Sequence, residues 1–126
     1  MPGTGRAVGK RRVRVVESMD PIGVGKLLII HGHEFGGGFS SPVNPARGAY
    51  LKAKDCVLMG HEHRTSEHTE QSALGTTVTC WSMGCLCNLR PAYRPFNKWN
   101  HGFATLDLSG PDWRIENKRI VDGRVV

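Results

Sequence analysis

The chain has 126 residues, of which 39% are hydrophobic, and a formal net charge of +6 at pH 7. This length allows one domain with a modest core. The sequence contains no internal repeat and no sign of a second domain. The longest clear apolar run, Leu27–Ile30, is far too short to span a bilayer, and no apolar signal-peptide core follows the basic N-terminus. We therefore expect a cytoplasmic protein without membrane partners.

The excess positive charge lies near the N-terminus, where several Lys and Arg side chains precede the first acidic residue, Glu17. We expect residues 1–12 to be a disordered basic tail and residues 13–126 to be the folded part. Contact between this tail and nucleic acid is the alternative, although a short basic tail is a weak signal for it.

Two strands are predicted next. Residues 13–17 and 25–31 flank a turn signal at residues 20–23 and would form a hairpin. The second strand is an apolar run that ends in His31-Gly32-His33. Residues 34–43 then form a Gly- and Ser-rich loop. Its three consecutive glycines permit close approach of a ligand and are equally typical of a mobile loop.

One clear helix is predicted between two strands. Asn44 would cap its N-terminus, Pro45 would be its first residue, and it would end near Lys54. Residues 56–59 form the next strand, so the order strand–helix–strand predicts a right-handed crossover and a parallel pair. Both strands would then end at one edge of the sheet, where ligands bind in open α/β sheets.

The rest of the chain is rich in strand signals. Residues 64–74 are polar and predict a loop, whereas residues 75–83 are β-branched and predict a strand. An irregular segment at residues 84–100 carries three aromatic residues that we expect to cover the sheet: Tyr93, Phe96 and Trp99. Further strands are predicted at residues 102–108, 113–118 and 120–121, followed by a hairpin turn at Asp122-Gly123. The pattern as a whole predicts an α/β fold with one main helix.

Histidines follow both strands of the predicted parallel pair. His31 comes directly after the first strand, and His61 and His63 follow Gly60 after the second. Neutral imidazole nitrogens bind first-row divalent metals well, and residues two apart project to the same side of an extended backbone. The sequence therefore predicts metal ligands at His31, His61 and His63.

Other titratable residues near these strands receive different interpretations. His33 is predicted to lie behind the ligands or to face substrate. His101, which begins a strand, could also approach the site or could be structural. His68 lies in a polar segment and is expected to be solvated. Glu62 would point away from the metal, which makes it a poor general base.

Four cysteines, an even number, do not indicate a disulfide scaffold in a chain without a secretion signal. Cys56 lies in an apolar strand and is expected to be a small core residue. Cys85-Leu86-Cys87 lacks the C-x-x-C spacing of a zinc ribbon. We expect structural thiols there, with metal ligation as the minor alternative.

These motifs together resemble a known enzyme family. His31-Gly32 followed by Gly60-His61-Glu62-His63 resembles the last two motifs of the calcineurin-like metallophosphoesterases. The context resembles a bacterial or phage branch of that family, and the resemblance covers residues 22–122 through these segments: His31-Gly32-His33-Glu34-Phe35, Asn44-Pro45-Ala46-Arg47, Trp81-Ser82-Met83-Gly84-Cys85-Leu86 and Trp99-Asn100-His101-Gly102-Phe103.

The resemblance implies a four-layered α/β sandwich, of which this chain would be the C-terminal part. It also implies a two-metal centre in which His31 and His61 bind one ion and His63 the other, with Mn, Fe, Zn or Ni as divalent cations. Two such ions hold a phosphoryl group and activate a water that attacks phosphorus. The implied activity is hydrolysis of phosphate esters.

The family's earlier motifs, Asp-x-His, Gly-Asp and Gly-Asn-His-Asp/Glu, do not occur in this sequence. In the family they supply the bridging carboxylate, an Asn ligand and a His proposed as general acid. We therefore expect an incomplete fragment that is inactive or weak alone, unless a second chain supplies the missing half; a homo-oligomer is the other assembly considered. The alternatives are a non-catalytic, metal-stabilised binding module whose basic tail contacts nucleic acid, and an inert domain with coincidental histidines.

Overall fold

The computed structural model describes residues 6–8, 11–18, 20–35, 43–110 and 112–126. Within these residues the structure is mixed α/β and strand-rich, with one α-helix, as the sequence predicts. The helices are α1 (Pro45–Ala53) and a short 3-10 helix at His33–Phe35. The strands are β1 (Arg6–Val8), β2 (Arg11–Val15), β3 (Ile22–Val24), β4 (Leu27–Ile30), β5 (Cys56–Met59), β6 (Ser66–Gln71), β7 (Thr77–Ser82), β8 (Gly102–Asp107), β9 (Arg114–Val121) and β10 (Arg124–Val125).

The largest sheet has five strands in the order β3-β4-β5-β7-β6. Its three central strands run parallel, and both outer strands are antiparallel to their neighbours. Ile30 pairs with Met59, and Met59 pairs with Ser82, so the parallel strands end at the same edge. The predicted parallel pair is therefore confirmed, and its strands β4 and β5 are direct neighbours.

The continuous apolar sequences of β4 and β5 reflect burial on both faces of this sheet. On one face, α1 packs against the sheet. Ala46 and Ala49 of the helix form a buried cluster there with Ile30, Val57, Met59 and Cys80 of the strands. On the other face, Leu27, Leu58 and Trp81 are buried beneath partly buried side chains of β8 and β9. The hydrophobic core thus lies on either side of the strands whose ends carry the histidines.

A second sheet of three antiparallel strands, in the order β10-β9-β8, covers that other face. Polar contacts join the two sheets as well. The amide Nδ2 of Asn117 donates to the carbonyl oxygens of Ser82 at 2.9 Å and Ser66 at 3.3 Å. The predicted hairpin at Asp122-Gly123 is confirmed, with Arg124 paired to Val121.

Helix α1 begins and ends as its sequence predicts. The side-chain oxygen of Asn44 accepts from the backbone N–H of Arg47 at 3.2 Å, and Pro45 is the first helical residue. Lys54 ends the helix in the left-handed conformation, and its N–H donates to the carbonyl of Tyr50 at 2.8 Å. Neither α1 nor any other helix of the described residues is long and apolar enough to cross a membrane.

The predicted hairpin between residues 13–17 and 25–31 is wrong. Strand β2 pairs with β1, and β4 pairs with β3 instead. The turn lies at Gly25-Lys26, where Gly25 has φ of 56°, a conformation that glycine adopts without strain at a two-residue hairpin loop. Residues 6–8 and 11–12, expected in a disordered tail, lie in β1 and β2, whereas residues 1–5 and 9–10 lie outside the described residues.

In the later part of the chain one prediction is wrong, and another is confirmed as a single strand. Residues 64–74 contain β6, the outer strand of the sheet, which pairs with β7. Alternate side chains of β6 are exposed to solvent, which explains its polar sequence. The two short strands predicted at residues 113–118 and 120–121 are one continuous strand, β9. Strand β8 pairs with this strand as far as Arg119, and β10 pairs with Ile120 and Val121 beyond it.

We predict that Leu27→Ala lowers the free energy of unfolding by about 2–5 kcal/mol, because Leu27 is only 1% exposed and its removal leaves a cavity between the two sheets. Urea denaturation measures this change. The matched control is Leu74→Ala at a side chain that is 97% exposed, which should change stability by less than about 0.5 kcal/mol. Equal effects of both substitutions would contradict the position of the core.

Candidate metal centre at the sheet edge

His31 and His61 lie side by side where β4 and β5 end. The carbonyl oxygen of His31 accepts hydrogen bonds from the backbone N–H groups of Gly60 at 3.1 Å and His61 at 2.7 Å. The two imidazole rings are 4.7 Å apart between centroids and meet edge to face. The structure therefore brings these two predicted ligands together.

Gly32 makes this close approach possible. Its φ is 118°, which other residues rarely adopt, and a Cβ atom there would lie 2.8 Å from the Cβ of His61 and 3.3 Å from the sulfur of Met59. Any side chain at this position would push the backbone that carries His31 away from His61. The glycine is therefore a steric requirement of the histidine pair.

His33 and Glu34 complete a compact group with His31. The Nδ1 atom of His33 is 3.0 Å from Nδ1 of His31 and 3.3 Å from Oε1 of Glu34. The ligand atoms of these three exposed residues all lie within 4.8 Å of one another. His33 thus lies beside His31 as an additional donor, and Glu34 supplies a carboxylate that the sequence analysis did not assign. The His-x-His-Glu spacing at residues 31–34 was the signal for it.

The carboxylate of Glu34 is held by the backbone of the same loop. Its two oxygens accept from the N–H groups of Gly32 at 2.7 Å and His31 at 3.3 Å. Partial burial acts to raise the pKa of Glu34, but these backbone hydrogen bonds outweigh it and lower the pKa below its ordinary value. Glu34 is therefore ionised at neutral pH, the form that binds cations.

Burial lowers the pKa of His31, and the neighbouring His61 and His33 lower it further, against the opposing effect of Glu34. Burial likewise lowers the pKa of His63, with added effects from His61 and His31. Both imidazoles are therefore neutral at pH 7, which leaves a ring nitrogen lone pair for a metal.

His63 does not project beside His61 as an extended chain would require. Residues 61 and 62 form a turn, the N–H of His63 donates to the carbonyl of Gly60 at 2.9 Å, and His63 has φ of 58°. Its ring packs edge to face on Trp99 at 4.4 Å, and its Nδ1 is 3.8 Å from the sulfur of Cys87. The turn thus directs His63 toward the cysteines, and its ligation of the same centre as His31 stays a prediction.

The other histidines occupy distinct positions. His101 directly precedes β8 and forms an isolated β-bridge with Cys85, and its Nε2 is 2.8 Å from the carbonyl oxygen of Cys87, so it holds the cysteine loop. The expectation that His68 is solvated in a loop is wrong, because it lies on β6 with its Nε2 2.9 Å from Glu70 and its ring 5.6 Å from that of Tyr50. His68 therefore does not belong to the group of histidines at the carboxyl ends of β4 and β5.

Two groups of three or more potential ligands occur among the described residues: His31, His33 and Glu34, and separately His63, Cys85 and Cys87. The first group, with His61 beside it, suits one divalent cation that accepts nitrogen and oxygen donors. Glu34 is the only carboxylate in either group. The described residues therefore fit one such cation and lack a carboxylate placed to bridge a pair.

Comparisons with family models, curated proteins and solved structures found no match to this chain. The geometry of the site and the sequence motifs are therefore the basis for assigning a function.

We predict that Gly32→Ala weakens Mn²⁺ binding roughly 10- to 100-fold, because the new Cβ would displace the His31 loop from His61. Isothermal titration calorimetry measures the affinity. Gly23→Ala is the matched control, since a Cβ at Gly23 meets nothing within 4 Å. Equal affinities of the two variants would show that the histidine pair is not part of the Mn²⁺ site.

Proposed function

We propose that this chain carries part of the metal centre of a metal-dependent phosphoester hydrolase of the calcineurin-like metallophosphoesterase type. The supporting observation is the contact between His31 and His61 at the shared carboxyl edge of β4 and β5. Two imidazoles at this edge are suited to bind a metal, and the motifs around them resemble that family.

In this proposal His31, His33 and His61 supply nitrogen donors, and Glu34 supplies the oxygen donor. When bound, a divalent cation such as Mn²⁺ provides Lewis acidity for a phosphoryl oxygen and for water. Arg64, Arg94 and Lys98 line an adjacent cleft together with Glu62, which lies 3.9 Å from Arg64. The remaining excess of positive charge would attract a phosphate ester. The chain thus offers both a cation site and a surface for an anionic substrate.

The proposed centre needs donors that this sequence does not contain, since the family's Asp-x-His, Gly-Asp and Gly-Asn-His motifs do not occur. A second polypeptide of different sequence would supply them. The five-stranded sheet, with α1 on one face and the three-stranded sheet on the other, would then be one half of the four-layered sandwich. Hydrolysis by the chain alone is expected to be slow.

The test combines Mn²⁺ binding with Mn²⁺-dependent hydrolysis of an aryl phosphate diester. The double variant His31→Ala, His61→Ala should lose Mn²⁺ affinity by on the order of 100-fold and any slow hydrolysis with it. His68→Ala is the control, because this histidine pairs with Glu70 away from the edge. Binding and hydrolysis that persist unchanged in the double variant would reject the proposal.

A second candidate function is non-catalytic binding of single-stranded nucleic acid. Tyr93 and Phe96, expected to cover the sheet, are instead 80% and 94% exposed, and the ring of Trp99 lies 6.4 Å from that of Tyr93. Arg94 and Lys98 alternate with these aromatic residues in the sequence. Exposed rings between cationic side chains are typical of surfaces on which bases stack while phosphates are neutralised.

For this candidate, the double variant Tyr93→Ala, Phe96→Ala should bind a fluorescent oligothymidylate at least about tenfold more weakly, since each stacked base contributes about 1–3 kcal/mol. Fluorescence anisotropy measures the affinity, and Leu74→Ala, which removes another exposed apolar side chain, should leave it unchanged. If only removal of residues 1–16 abolishes binding, the contact belongs to the basic N-terminal segment and this surface is not involved.

A further inference from the structure

The second group of potential ligands contains sulfur. The Nδ1 or Nε2 of His63 and the sulfurs of Cys85 and Cys87 lie within 4.8 Å of one another, and the Cys87 sulfur is 3.8 Å from Nδ1 of His63. All three residues come from loops at the same sheet edge, after β5 and after β7. We propose that His63, Cys85 and Cys87 bind a thiophilic divalent cation, with zinc as the preferred ion.

The observed separation agrees with tetrahedral zinc geometry. Zinc bonds of about 2.3 Å to sulfur and about 2.0–2.1 Å to nitrogen, at a tetrahedral angle, place these donor atoms about 3.6 Å apart. The 3.8 Å between Cys87 and His63 therefore requires only a small adjustment. Three protein donors leave a fourth position for water or another ligand, as in open zinc sites.

Backbone hydrogen bonds hold the loop of His63 next to the loop of Cys85 and Cys87. The N–H of Asn100 donates to the carbonyl of His63 at 3.0 Å, and the carbonyl of Asn100 accepts from the N–H of Cys85 at 2.9 Å. One residue thus connects the histidine loop to the cysteine loop. Gly102 donates to the carbonyl of Cys85 at 3.1 Å, and His101 contacts the carbonyl of Cys87 at 2.8 Å.

Gly84 allows this connection to be short. A Cβ at Gly84 would lie 2.7 Å from both the carbonyl oxygen of Asn100 and the nitrogen of Gly102. The cysteine loop can therefore approach residues 100–102 only with glycine at this position. A donor set fixed by backbone hydrogen bonds loses little conformational entropy on binding, which favours affinity.

The donor types distinguish this site from the histidine pair. Thiolates prefer zinc and other soft cations, whereas carboxylate and imidazole donors also accept manganese and iron. The family resemblance assigns His63 to the second hydrolase metal, but the geometry places it with two thiols. The inference does not depend on the proposed hydrolase, because a zinc site here could be structural.

To test this proposal, the reduced, metal-free chain is titrated with Co²⁺ and its near-ultraviolet absorption spectrum is recorded. We expect one equivalent to produce a thiolate-to-cobalt charge-transfer band in the near ultraviolet, reversed by one equivalent of Zn²⁺. Cys87→Ser should abolish the band and weaken zinc by on the order of 100-fold or more. Cys56→Ser removes a thiol on β5 outside the group and should retain both, as should the double variant His31→Ala, His61→Ala.

Absence of the band in the unaltered chain, its persistence in Cys87→Ser, or its equal loss in Cys56→Ser would overturn the proposal. Circular dichroism establishes that each variant is folded. X-ray absorption at the zinc edge of the unaltered chain provides a measurement independent of any variant. It should report two sulfur neighbours at about 2.3 Å, and a shell of nitrogen and oxygen alone would overturn the proposal.

Discussion

The carbonyl oxygen of His31 accepts two hydrogen bonds, from Gly60 and His61, and this pairing extends the parallel ladder of β4 and β5 beyond their last residues. The adjacent strand is tied in the same way, since the N–H of Met83 donates to the carbonyl of Met59 at 2.8 Å. The loops after β4, β5 and β7 therefore start side by side at one edge of the sheet. This arrangement brings their histidines, glutamate and cysteines close together.

Burial of β4 and β5 on both faces keeps that edge in position. Leu27 and Met59 are almost completely buried on opposite sides of the sheet, so the strands cannot shift register without exposing apolar surface. The loops themselves contribute little hydrophobic area. They depend on glycines at close approaches and on backbone hydrogen bonds, of which those of Asn100 join the histidine and cysteine loops.

Features set by local chemistry were predictable from the sequence. The caps of α1 depend only on residues within the helix or next to it, and the parallel pair follows from one helix between two apolar runs. The contact of His31 with His61 follows in turn from that pairing. These signals lie within a few residues of the structure that they determine.

Features set by distant partners were not predictable in the same way. Strand β6 has a polar sequence that resembles a loop, and only its pairing with β7 makes it a strand. The direction of His63 depends on the turn at residues 61–62 and on Trp99, which lies far along the chain. The grouping of His63 with Cys85 and Cys87 requires the bridge through Asn100, which no sequence pattern indicates.

The sheet edge thus presents two donor sets of different chemistry, a nitrogen and oxygen set at His31 and a nitrogen and sulfur set at His63. The same parallel strands position both sets, and positive side chains line the cleft beside them. This arrangement is compatible with one cation that acts on a phosphate ester and another that stabilises the loops. We propose that this edge binds metal at both sets.

Anomalous X-ray scattering from crystals grown with Mn²⁺ and Zn²⁺ tests this claim most directly. We expect a peak at the zinc absorption edge between His63, Cys85 and Cys87, and a manganese peak against His31 and Glu34. Absence of metal from the sheet edge, or peaks confined to other surfaces such as His68 and Glu70, would contradict it.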